Sequence, residues 1–449
     1  CWRQLAEGGM LCLLPLTAAL HAPVRAPGTL RASAPFVSVS AALHVPVRAT
    51  PIVLRAAAPS LSISTPRAVG EPIRVGIVGC GRIGIVHLET LRKCPKAKVV
   101  SIGGSSREET VSALAEKYGI AHFAKDADEV IRNPDVDAVW ICSPSQYHAA
   151  QIRLAAELGK DIFCEKPIAT ELDETIQSVL FAREKGVKLM VALQRRFDPN
   201  FMRVKSAIMD GEIGSPVQIR LTSRDPSPPP KKYVEGGGGI FKDMAIHDLD
   251  MSRFLMGEDP LEVFATGSCM INQEIADLPG PEAYDTATII VKYREGRTAT
   301  IDVCRQATYG YDQRAEALGT AAMVMTDNMY PNTARVFTGD FVGMADLPYD
   351  FFMSRYIAAY EAETVAFIDS IESASDAPVT GEDGVIALAM AIAAGLSAKE
   401  QRWVKLSEVL PALDGSMEGS PRLRKRDRLS AFLRSLGGAR TSEPEPIPA

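Results

Sequence analysis

The sequence predicts an α/β protein in which a doubly wound parallel sheet is followed by an α+β domain with a large, mostly antiparallel open sheet. Between residues 72 and 193, short apolar strands alternate with helical patterns, as in parallel sheets. A glycine turn joins the first strand to the first helix. After residue 194 the strands lengthen and follow one another directly, which favours antiparallel pairing. A chain of 449 residues is long enough for two or three domains.

The parallel sheet is predicted over residues 71–193. Its strands are expected at 73–78, 98–102, 137–142, 161–164 and 188–192. Its helices are expected from the glycine turn to about residue 93 and at 108–118, 147–158 and 172–185. Each strand is short, apolar and followed by a helical pattern, which is typical of βα units.

The second domain is predicted over residues 194–410. Strands are expected at 217–223, 261–270, 286–293, 298–304, 313–318 and 323–326, and helices at 204–209, 356–371 and 382–401. Segment 227–239 is rich in Pro and Gly and is predicted to be a loop. The segment Gly384–Ala398 is small and apolar on all sides, so its helix is expected to be buried.

Residues 1–70 and 411–449 are predicted to lie outside both domains. The first segment carries six Arg, no Lys and one acid, so its charge is +5 and the remainder of the chain is −11, given the net charge of −6. Its composition resembles a transit peptide. We expect a soluble protein in a plastid or mitochondrion after removal of this segment; a cytoplasmic protein with a disordered tail is the alternative. The segment 411–449 is predicted to be a mobile tail.

Charge and cysteine usage exclude several classes of protein. An acidic body argues against nucleic-acid binding. The sequence contains no run of 18 or more apolar residues, so no membrane span is predicted. The eight cysteines are scattered without a C-x-x-C or Cys/His cluster, so we expect buried free thiols and no metal site.

The glycine turn after the first strand predicts a dinucleotide site. Gly79, Gly81 and Gly84 follow the G-x-G-x-x-G spacing between a strand and a helix, with Arg82 and Ile83 inside the turn. The glycines permit a tight turn and a close approach to a pyrophosphate, which the helix N-terminus attracts. This pattern predicts a Rossmann domain.

The second strand should end on an Asp or Glu that binds the adenosine ribose, but the expected position is Gly104. Ser105, Ser106 and Arg107 follow. An arginine in place of a carboxylate favours a 2′-phosphate, so the cofactor is expected to be NAD or NADP, with NADP or dual use favoured. In the alternative, the serines only touch the 2′-hydroxyl of NAD.

The pair Asp243 and His247 is spaced to share one helix face. A carboxylate beside an imidazole is suited to proton transfer, although the same pattern occurs on solvated helices. Asp250, three residues after His247, shares that face, and the sequence alone does not choose between the two acids. Upstream, Lys166 follows a buried strand at the edge where open α/β sheets bind ligands.

Together these motifs resemble the Gfo/Idh/MocA oxidoreductases over roughly residues 72–406. The motifs that carry the resemblance are Gly79–Gly84, Ser143-Pro144 with His148, Glu165-Lys166-Pro167 and Gly236–His247. The myo-inositol 2-dehydrogenase branch is the most similar, through Gln194–Asp198, Ser223–Pro226, Asp243–His247 and Tyr309-Gly310-Tyr311.

The resemblance implies an NAD(P)-dependent dehydrogenase that oxidises a secondary hydroxyl of a cyclic polyol, with conversion of myo-inositol to its 2-keto form favoured. It also implies a dimer or tetramer. It assigns Lys166, Asp243 and His247 as catalytic: His247 as base, Asp243 orienting it, and Lys166 holding the reacting oxygen. Ser143, Pro144, His148 and Glu165 would join the glycine turn in binding the cofactor. For His148, a helix-capping role is an equal alternative.

Candidate polyol ligands are Arg196, Asp225 and Tyr311, with Arg195, Asp198, Arg224 and Tyr309 as further possibilities. For each charged residue a structural salt bridge is an equal alternative, and for the tyrosines an aromatic core. Two other functions stay open: oxidation or reduction of another sugar or diol, and a silent NAD(P)-binding regulator.

Overall fold

The computed structural model describes Thr65, Arg67, Ala68, residues 70–105 and residues 107–411. The expected transit-like segment 1–70 and tail 411–449 lie almost entirely outside these residues, as does Ser106.

The first half of the described chain is a six-stranded parallel sheet with helices between the strands. Its elements in chain order are β1 (Ile73–Val78), α1 (Arg82–Lys93), β2 (Ala97–Gly103), α2 (Glu108–Tyr118), β3 (His122–Ala124), α3 (Ala127–Arg132), β4 (Ala138–Ile141), α4 (His148–Glu157), β5 (Asp161–Glu165), α5 (Leu172–Glu184) and β6 (Leu189–Ala192). The strand order is β3-β2-β1-β4-β5-β6, so the order reverses beside β1. That reversal point is where doubly wound sheets bind ligands.

Two short elements of this half, β3 and α3, have no counterpart in the sequence prediction. Strand β3 pairs with β2 through only three residue pairs. Helix α3 is six residues long and begins after Asp126, which accepts a hydrogen bond from the Asp128 amide. Elements this short lack the periodicity that reveals longer ones.

The second half is built on a seven-stranded sheet. Its elements are α6 (Pro199–Met209), β7 (Pro216–Arg224), α7 (Lys231–Gly237), α8 (Ile246–Met256), β8 (Glu262–Ser268), β9 (Thr286–Lys292), β10 (Thr298–Cys304), β11 (Asp312–Gly319), β12 (Met323–Thr326), β13 (Arg335–Phe337), β14 (Val342–Ala345), α9 (Phe352–Arg355), α10 (Ile357–Glu372), α11 (Gly381–Glu400), β15 (Val404–Lys405) and α12 (Leu406–Val409). The sheet order is β12-β11-β7-β10-β9-β8-β15, while β13 and β14 form a separate hairpin.

The predicted fold class is confirmed: a parallel Rossmann sheet precedes a mostly antiparallel sheet. One pairing within the second sheet differs, because β7 and β10 run parallel, with Ser223 opposite Val303. The predicted loop at 227–239 is also wrong in part, because Lys231–Gly237 is the helix α7. Pro230 precedes this helix and Gly238 ends it in a left-handed conformation, so its length is set by the residues that suggested a loop.

Helices α10 and α11 return from the second half to pack on the first. Helix α10 packs on α1, and Phe367 of α10 meets the buried ring of Trp140 in β4 edge-on at 5.4 Å. Helix α11 packs between α5, α8 and β8. Among the described residues, α11 alone is long and apolar enough to cross a membrane, and 72% of its apolar window is buried in the protein interior.

Candidate functional site

The glycine turn after β1 is closed by backbone contacts that leave no room for side chains at two positions. Gly79 has φ +96°, and a Cβ there would lie 2.4 Å from the Ser143 amide nitrogen. A Cβ on Gly84 would lie 1.9 Å from the carbonyl oxygen of Gly79. A Cβ on Gly81, in contrast, meets no described atom within 4 Å. Gly79 and Gly84 are therefore required by the turn itself, while Gly81 borders open space.

That open space lies at the N-terminus of α1. No side chain in the described part of the chain caps this helix at Gly81, and its first turn carries no acid. The first backbone N–H groups of such a helix lack intrahelical acceptors and attract an anion. A dinucleotide pyrophosphate therefore fits at this turn. Arg82, at the first helical position, is exposed, and Ile83 is half-buried.

The end of β2 has no carboxylate for a ribose, as the sequence indicates. Gly104 has φ +77°, and a Cβ on it would lie 3.2 Å from the Gly79 nitrogen. A side chain there is both strained and crowded. Ser105 is half-buried, and its hydroxyl accepts a hydrogen bond from the Arg107 amide at 3.3 Å. The Arg107 residue is exposed.

Lys166 lies just beyond the carboxyl end of β5 and contacts Asp243. Its Nζ donates to the Asp243 carbonyl oxygen at 2.6 Å and to Asp243 Oδ1 at 3.1 Å. Burial lowers the pKa of Lys166, but the carboxylates of Asp243 and Glu165 outweigh it and raise the pKa above its ordinary value. The lysine therefore stays a cation.

Asp243 lies in a single π-helical turn, Phe241–Ala245, that leads into α8. The sequence predicts an ordinary helix here. Such turns are rare and occur often at functional sites. The tyrosine hydroxyl of Tyr233, in α7, donates to Asp243 Oδ1 at 3.1 Å, and Arg305 Nη2 donates to Oδ2 at 2.9 Å. Although burial opposes it, the charges of Lys166 and Arg305 hold the pKa of Asp243 far below its usual value.

His247 is half-buried on the first turn of α8, and its Nδ1 is buried without a hydrogen-bond partner among the described residues. The Asp243 carboxylate accepts no hydrogen bond from this ring in that part of the chain, although the two residues share the helical segment as predicted. Burial, followed by the charges of Lys166 and Arg195, holds the pKa of His247 well below its ordinary value. The ring is therefore neutral near pH 7 and can accept a proton.

The alternative acid, Asp250, is occupied elsewhere. It accepts two hydrogen bonds from Arg196, at 2.8 and 2.5 Å, and the third nitrogen of Arg196 lies 3.3 Å from Asp383. Arg196 is buried in this cluster, so its nitrogens are used within the protein and its expected contact with a substrate is not supported. The structure therefore identifies Asp243, and not Asp250, as the acid beside Lys166, a choice that residue spacing alone leaves open.

The other charged residues considered for the substrate also form ion pairs. Arg195 bonds Asp248 at 2.6 Å, Asp198 accepts from Arg355 at 2.6 Å, and Arg224 pairs with Asp302. The geometry of Arg195, Asp198 and Arg224 is therefore that of structural salt bridges, the alternative to substrate binding.

Asp225 adjoins the site through Arg305, whereas Tyr311 packs among aromatic rings. Asp225 Oδ2 is 3.5 Å from Arg305 Nη1, and burial raises the pKa of Asp225 to about 6, against the opposing charge of Arg305. Tyr311 is buried and meets the rings of Phe351 and Tyr356 edge-on. Tyr309, which is partly exposed, donates to Asp312 at 2.6 Å.

Glu165 and His148 support the loop that carries Lys166. Glu165 Oε1 lies 2.8 Å from His87 Nε2, and its Oε2 accepts from the Lys166 amide at 3.2 Å. The ring nitrogens of His148 lie 2.8 and 2.7 Å from the carbonyl oxygens of Pro167 and Ser143. His148 therefore ties the turn after β4 to the turn after β5, and its contact with the cofactor stays a prediction. Pro144 begins the short turn between β4 and α4.

Arg305 and Tyr233 carry no motif that marks them in the sequence. Arg305 follows β10 directly, and Asp225 follows β7. Since these two strands are parallel, their carboxyl ends meet at one edge of the sheet. The sequence therefore points to Arg305 as a site residue only if the parallel pairing of β7 and β10 is already known.

Two family models match the two halves of the chain. The "Oxidoreductase family, NAD-binding Rossmann fold" model matches residues 73–193. The "Oxidoreductase family, C-terminal alpha/beta domain" model matches residues 205–406. The chain belongs to the Gfo/Idh/MocA oxidoreductases. As a member of this family it has an NAD-binding Rossmann domain, and the resemblance seen in its motifs is confirmed.

Among Gfo/Idh/MocA proteins, the chain is similar to two curated bacterial relatives. It is 42% identical over 324 residues to the uncharacterized oxidoreductase YrbE of Bacillus subtilis, which covers 72% of this chain and 94% of the relative. It is 39% identical over 338 residues to the myo-inositol 2-dehydrogenase of Thermotoga maritima, covering 75% and 100%.

Two solved structures of this family are also similar. A myo-inositol dehydrogenase from Corynebacterium glutamicum has a TM-score of 0.71 and 37% identity, and the match covers 75% of this chain and 99% of that one. A scyllo-inositol dehydrogenase from Lactobacillus casei, with bound NAD(H) and scyllo-inositol, has a TM-score of 0.68 and 28% identity, covering 75% and 100%. These comparisons give no support to a preference for NADP.

Proposed function

We propose that this protein is an NAD-dependent dehydrogenase that oxidises a secondary hydroxyl of a cyclic polyol, with myo-inositol converted to its 2-keto form. The observation that carries the proposal is the buried ion pair of Lys166 with Asp243, at the carboxyl end of β5 and one helical turn before His247. The same chain carries a dinucleotide turn on β1, and relatives at about 40% identity are inositol 2-dehydrogenases.

The proton leaves the substrate through His247. Oxidation of an alcohol needs a base, because the carbonyl forms as the hydroxyl loses its proton. The low pKa of His247 keeps the ring unprotonated and ready to accept at neutral pH. When bound, the nicotinamide supplies the hydride-accepting carbon.

The developing negative charge on the substrate oxygen is stabilised by Lys166. Its ammonium is held by Asp243 and stays charged because its pKa is raised. A fixed cation in a site with little water stabilises an alkoxide more strongly than water does. In this arrangement the Asp243 carboxylate binds Lys166 directly, and it acts on His247 only through its charge.

A polyol is favoured because the groups beside His247 and Lys166 include both acceptors and donors for several hydroxyls. Asp225 provides carboxyl oxygens and Tyr233 a phenol, close to the Asp243 carboxylate. A site built from hydrogen-bonding groups rejects analogues that leave those groups unpaired. The named inositol dehydrogenases among the relatives support the same substrate class.

NAD is the proposed cofactor, and NADP is proposed to be accepted as well. The family model and the scyllo-inositol dehydrogenase structure with bound NAD(H) support NAD. Acceptance of NADP is supported by Gly104, which removes the carboxylate that would repel a 2′-phosphate, and by the exposed Arg107 nearby.

A homo-oligomer is also proposed. Strand β12 is an edge of the second sheet, and its Met323 and Met325 side chains are about half exposed. An unprotected apolar edge favours pairing with another chain. Light scattering on the purified full chain tests this; a monomer at micromolar concentration contradicts it.

The test of function is an assay of the purified full chain with NAD or NADP and a panel of polyols. The panel contains myo-inositol, scyllo-inositol, D-glucose and a linear diol, and the reduced nicotinamide is measured by absorbance. We expect reduction with myo-inositol at a higher kcat/KM than with the linear diol. Tight NAD binding with no turnover on any member favours the silent-regulator function instead.

A further inference from the structure

The guanidinium of Arg305 joins two carboxylates on different elements of the site. Its Nη2 donates to Asp243 Oδ2 at 2.9 Å, and its Nη1 lies 3.5 Å from Asp225 Oδ2. The side chain of Arg305 is only 6% exposed. A planar guanidinium can bridge two carboxylates in a fixed geometry, which the single ammonium of a lysine cannot reproduce.

Arg305 and Lys166 bind opposite oxygens of the Asp243 carboxylate. Asp243 Oδ1 accepts from Lys166 and from the hydroxyl of Tyr233, each at 3.1 Å. Its Oδ2 accepts from Arg305. With Arg305 removed, Oδ2 would lose this donor in a buried place, which costs free energy that a rotation of the carboxylate towards another donor would recover. The contact with Lys166 would then loosen.

Strand geometry explains why this bridge forms. Strands β7 and β10 are parallel, and Cys304 pairs with Arg224, so Arg305 and Asp225 leave their strands side by side. The backbone continues this contact, because the Asp225 amide donates to the Cys304 carbonyl oxygen at 2.9 Å. Arg305 therefore lies between the end of the sheet and the π-helical turn that carries Asp243.

Resting on the function proposed above, we propose that Arg305 is a positioning residue for the dehydrogenase reaction. It holds Asp243 with Oδ1 on Lys166 and ties this pair to Asp225 on the neighbouring strand. It acts through these carboxylates rather than on the reacting atoms.

The proposal has an electrostatic consequence for the dependence of the rate on pH. Four groups influence the ionisation of Asp225: Arg305 after β10, Asp243 in the π-helical turn, Arg195 before α6, and Tyr311 before β11. The two arginines favour the charged carboxylate, while burial and Asp243 oppose it. Removing Arg305 therefore makes both Asp225 and Asp243 easier to protonate, so the acid limb of the rate profile should move to higher pH.

The kinetic experiment compares Arg305→Gln and Arg305→Lys with the wild-type full chain across the pH range. We expect Arg305→Gln to lower kcat by about 10²-fold, as for loss of a preorganised charged donor, and to move the acid limb upward. Arg305→Lys should restore part of kcat and most of the pH profile, because it keeps the charge but not the bridge. The Kd for NAD should change by less than about threefold, since the cofactor turn is untouched.

Arg220→Gln is the matched control, because Arg220 is an exposed arginine of β7 in the same sheet. It should behave as the wild type. An Arg305→Gln protein with wild-type kcat and an unmoved acid limb overturns the proposal. The proposal is also overturned if Arg305→Lys loses as much activity as Arg305→Gln and neither variant changes the pH profile. Only a structural role for Arg305 would then remain.

Crystal structures of the wild type and Arg305→Gln with NAD provide a readout that needs no turnover. The proposal expects the Asp243 carboxylate to rotate and its Oδ1 to leave Lys166 in the variant. An Asp243 that keeps its place overturns the positioning role even if the wild type oxidises none of the polyols. In that case the proposed function fails separately, through the assay of the wild-type chain.

Discussion

Lys166 Nζ lies 3.1 Å from Asp243 Oδ1 and 2.6 Å from the Asp243 carbonyl oxygen. The acid of the Asp243–His247 motif is therefore bound to the lysine that precedes it by 77 residues. The two groups form a buried ion pair with a second cation, Arg305, on the far oxygen. A pair of this kind is costly to break on one side, because the remaining charge stays buried.

Replacing Asp243 with Asn should impair Lys166 more than His247. Without the Asp243 carboxylate, burial is opposed chiefly by the Glu165 carboxylate, so the pKa of Lys166 should fall. We expect kcat to fall by about 10²–10³-fold, as for loss of electrostatic stabilisation of the transition state. Steady-state kinetics over pH measures this. A variant with unchanged kcat and unchanged basic limb contradicts the role given to the ion pair.

Replacing His247 with Ala should remove the base and leave the cofactor site intact. We expect turnover to fall by about 10²–10⁴-fold, the usual range for loss of a general base. NAD affinity, measured by fluorescence titration, should stay near wild type, because the glycine turn is on β1 and α1. His247→Gln is the control for side-chain size, because it keeps a polar side chain of similar length but not the imidazole. Near-wild-type turnover in either variant rules out His247 as the base.

Much of this site could be anticipated from the sequence, because its parts sit at fixed places relative to strands. The glycine turn and Lys166 each follow a short apolar strand of the kind found in parallel sheets. Both are therefore predicted to lie at the carboxyl ends of the strands. Asp243 and His247 share a helical segment, as their spacing predicts. The i, i+4 rule also predicts that they interact directly, and there the structure differs.

The unpredicted parts depend on contacts between distant segments. The π-helical turn at Phe241–Ala245 adds a residue to one turn, which residue spacing does not reveal. The bridge from Arg305 to Asp225 requires β7 and β10 to be parallel, whereas the run of strands favours antiparallel pairing. Arg196 resembles a ligand in its motif, but Asp250 and Asp383 hold it in a buried ion pair. In each case tertiary pairing outweighs the local pattern.

Two glycines of the dinucleotide turn should respond oppositely to the same substitution. Gly81→Ala adds a Cβ that meets no described atom, so the fold should keep its melting temperature while the Kd for NAD rises at least about tenfold, through loss of close approach to the pyrophosphate. Gly84→Ala places a Cβ 1.9 Å from the Gly79 oxygen and should destabilise the protein. Thermal unfolding and NAD titration separate the two. Equal loss of stability in both variants contradicts this division.

Asp225 should limit stability at neutral pH and activity at acid pH. Burial raises the pKa of Asp225 to about 6, above the value of about 3.9 expected in the unfolded chain. The folded state therefore binds this proton more tightly, so the stabilising contribution is present at low pH and is lost as the pH rises through about 6.

Asp225→Asn cannot ionise, so its melting temperature relative to wild type should be higher at about pH 8 than at about pH 4.5. Its KM for the polyol should rise, because the substrate loses a charged acceptor. Differential scanning calorimetry and steady-state kinetics check both statements. A relative melting temperature independent of pH shows that Asp225 does not titrate in this range.

Arg107→Ala should weaken NADP much more than NAD. Arg107 is exposed beyond Gly104, where no carboxylate is available for the ribose. Loss of an arginine contact to a phosphate typically costs about 1.5–3 kcal/mol, or roughly a tenfold to hundredfold rise in Kd for NADP. Titrations of both cofactors measure this. An equal rise for both shows that Arg107 does not bind the 2′-phosphate.

Transfer of the hydrogen on C2 of myo-inositol tests the central claim most directly. The wild-type full chain is incubated with NAD and myo-inositol carrying deuterium at C2, and the reduced cofactor is analysed by mass spectrometry. We expect NADH that carries the deuterium, with the 2-keto product formed in equal amount. Unlabelled NADH, or no reduced cofactor under conditions where NAD binding is saturated, would contradict it.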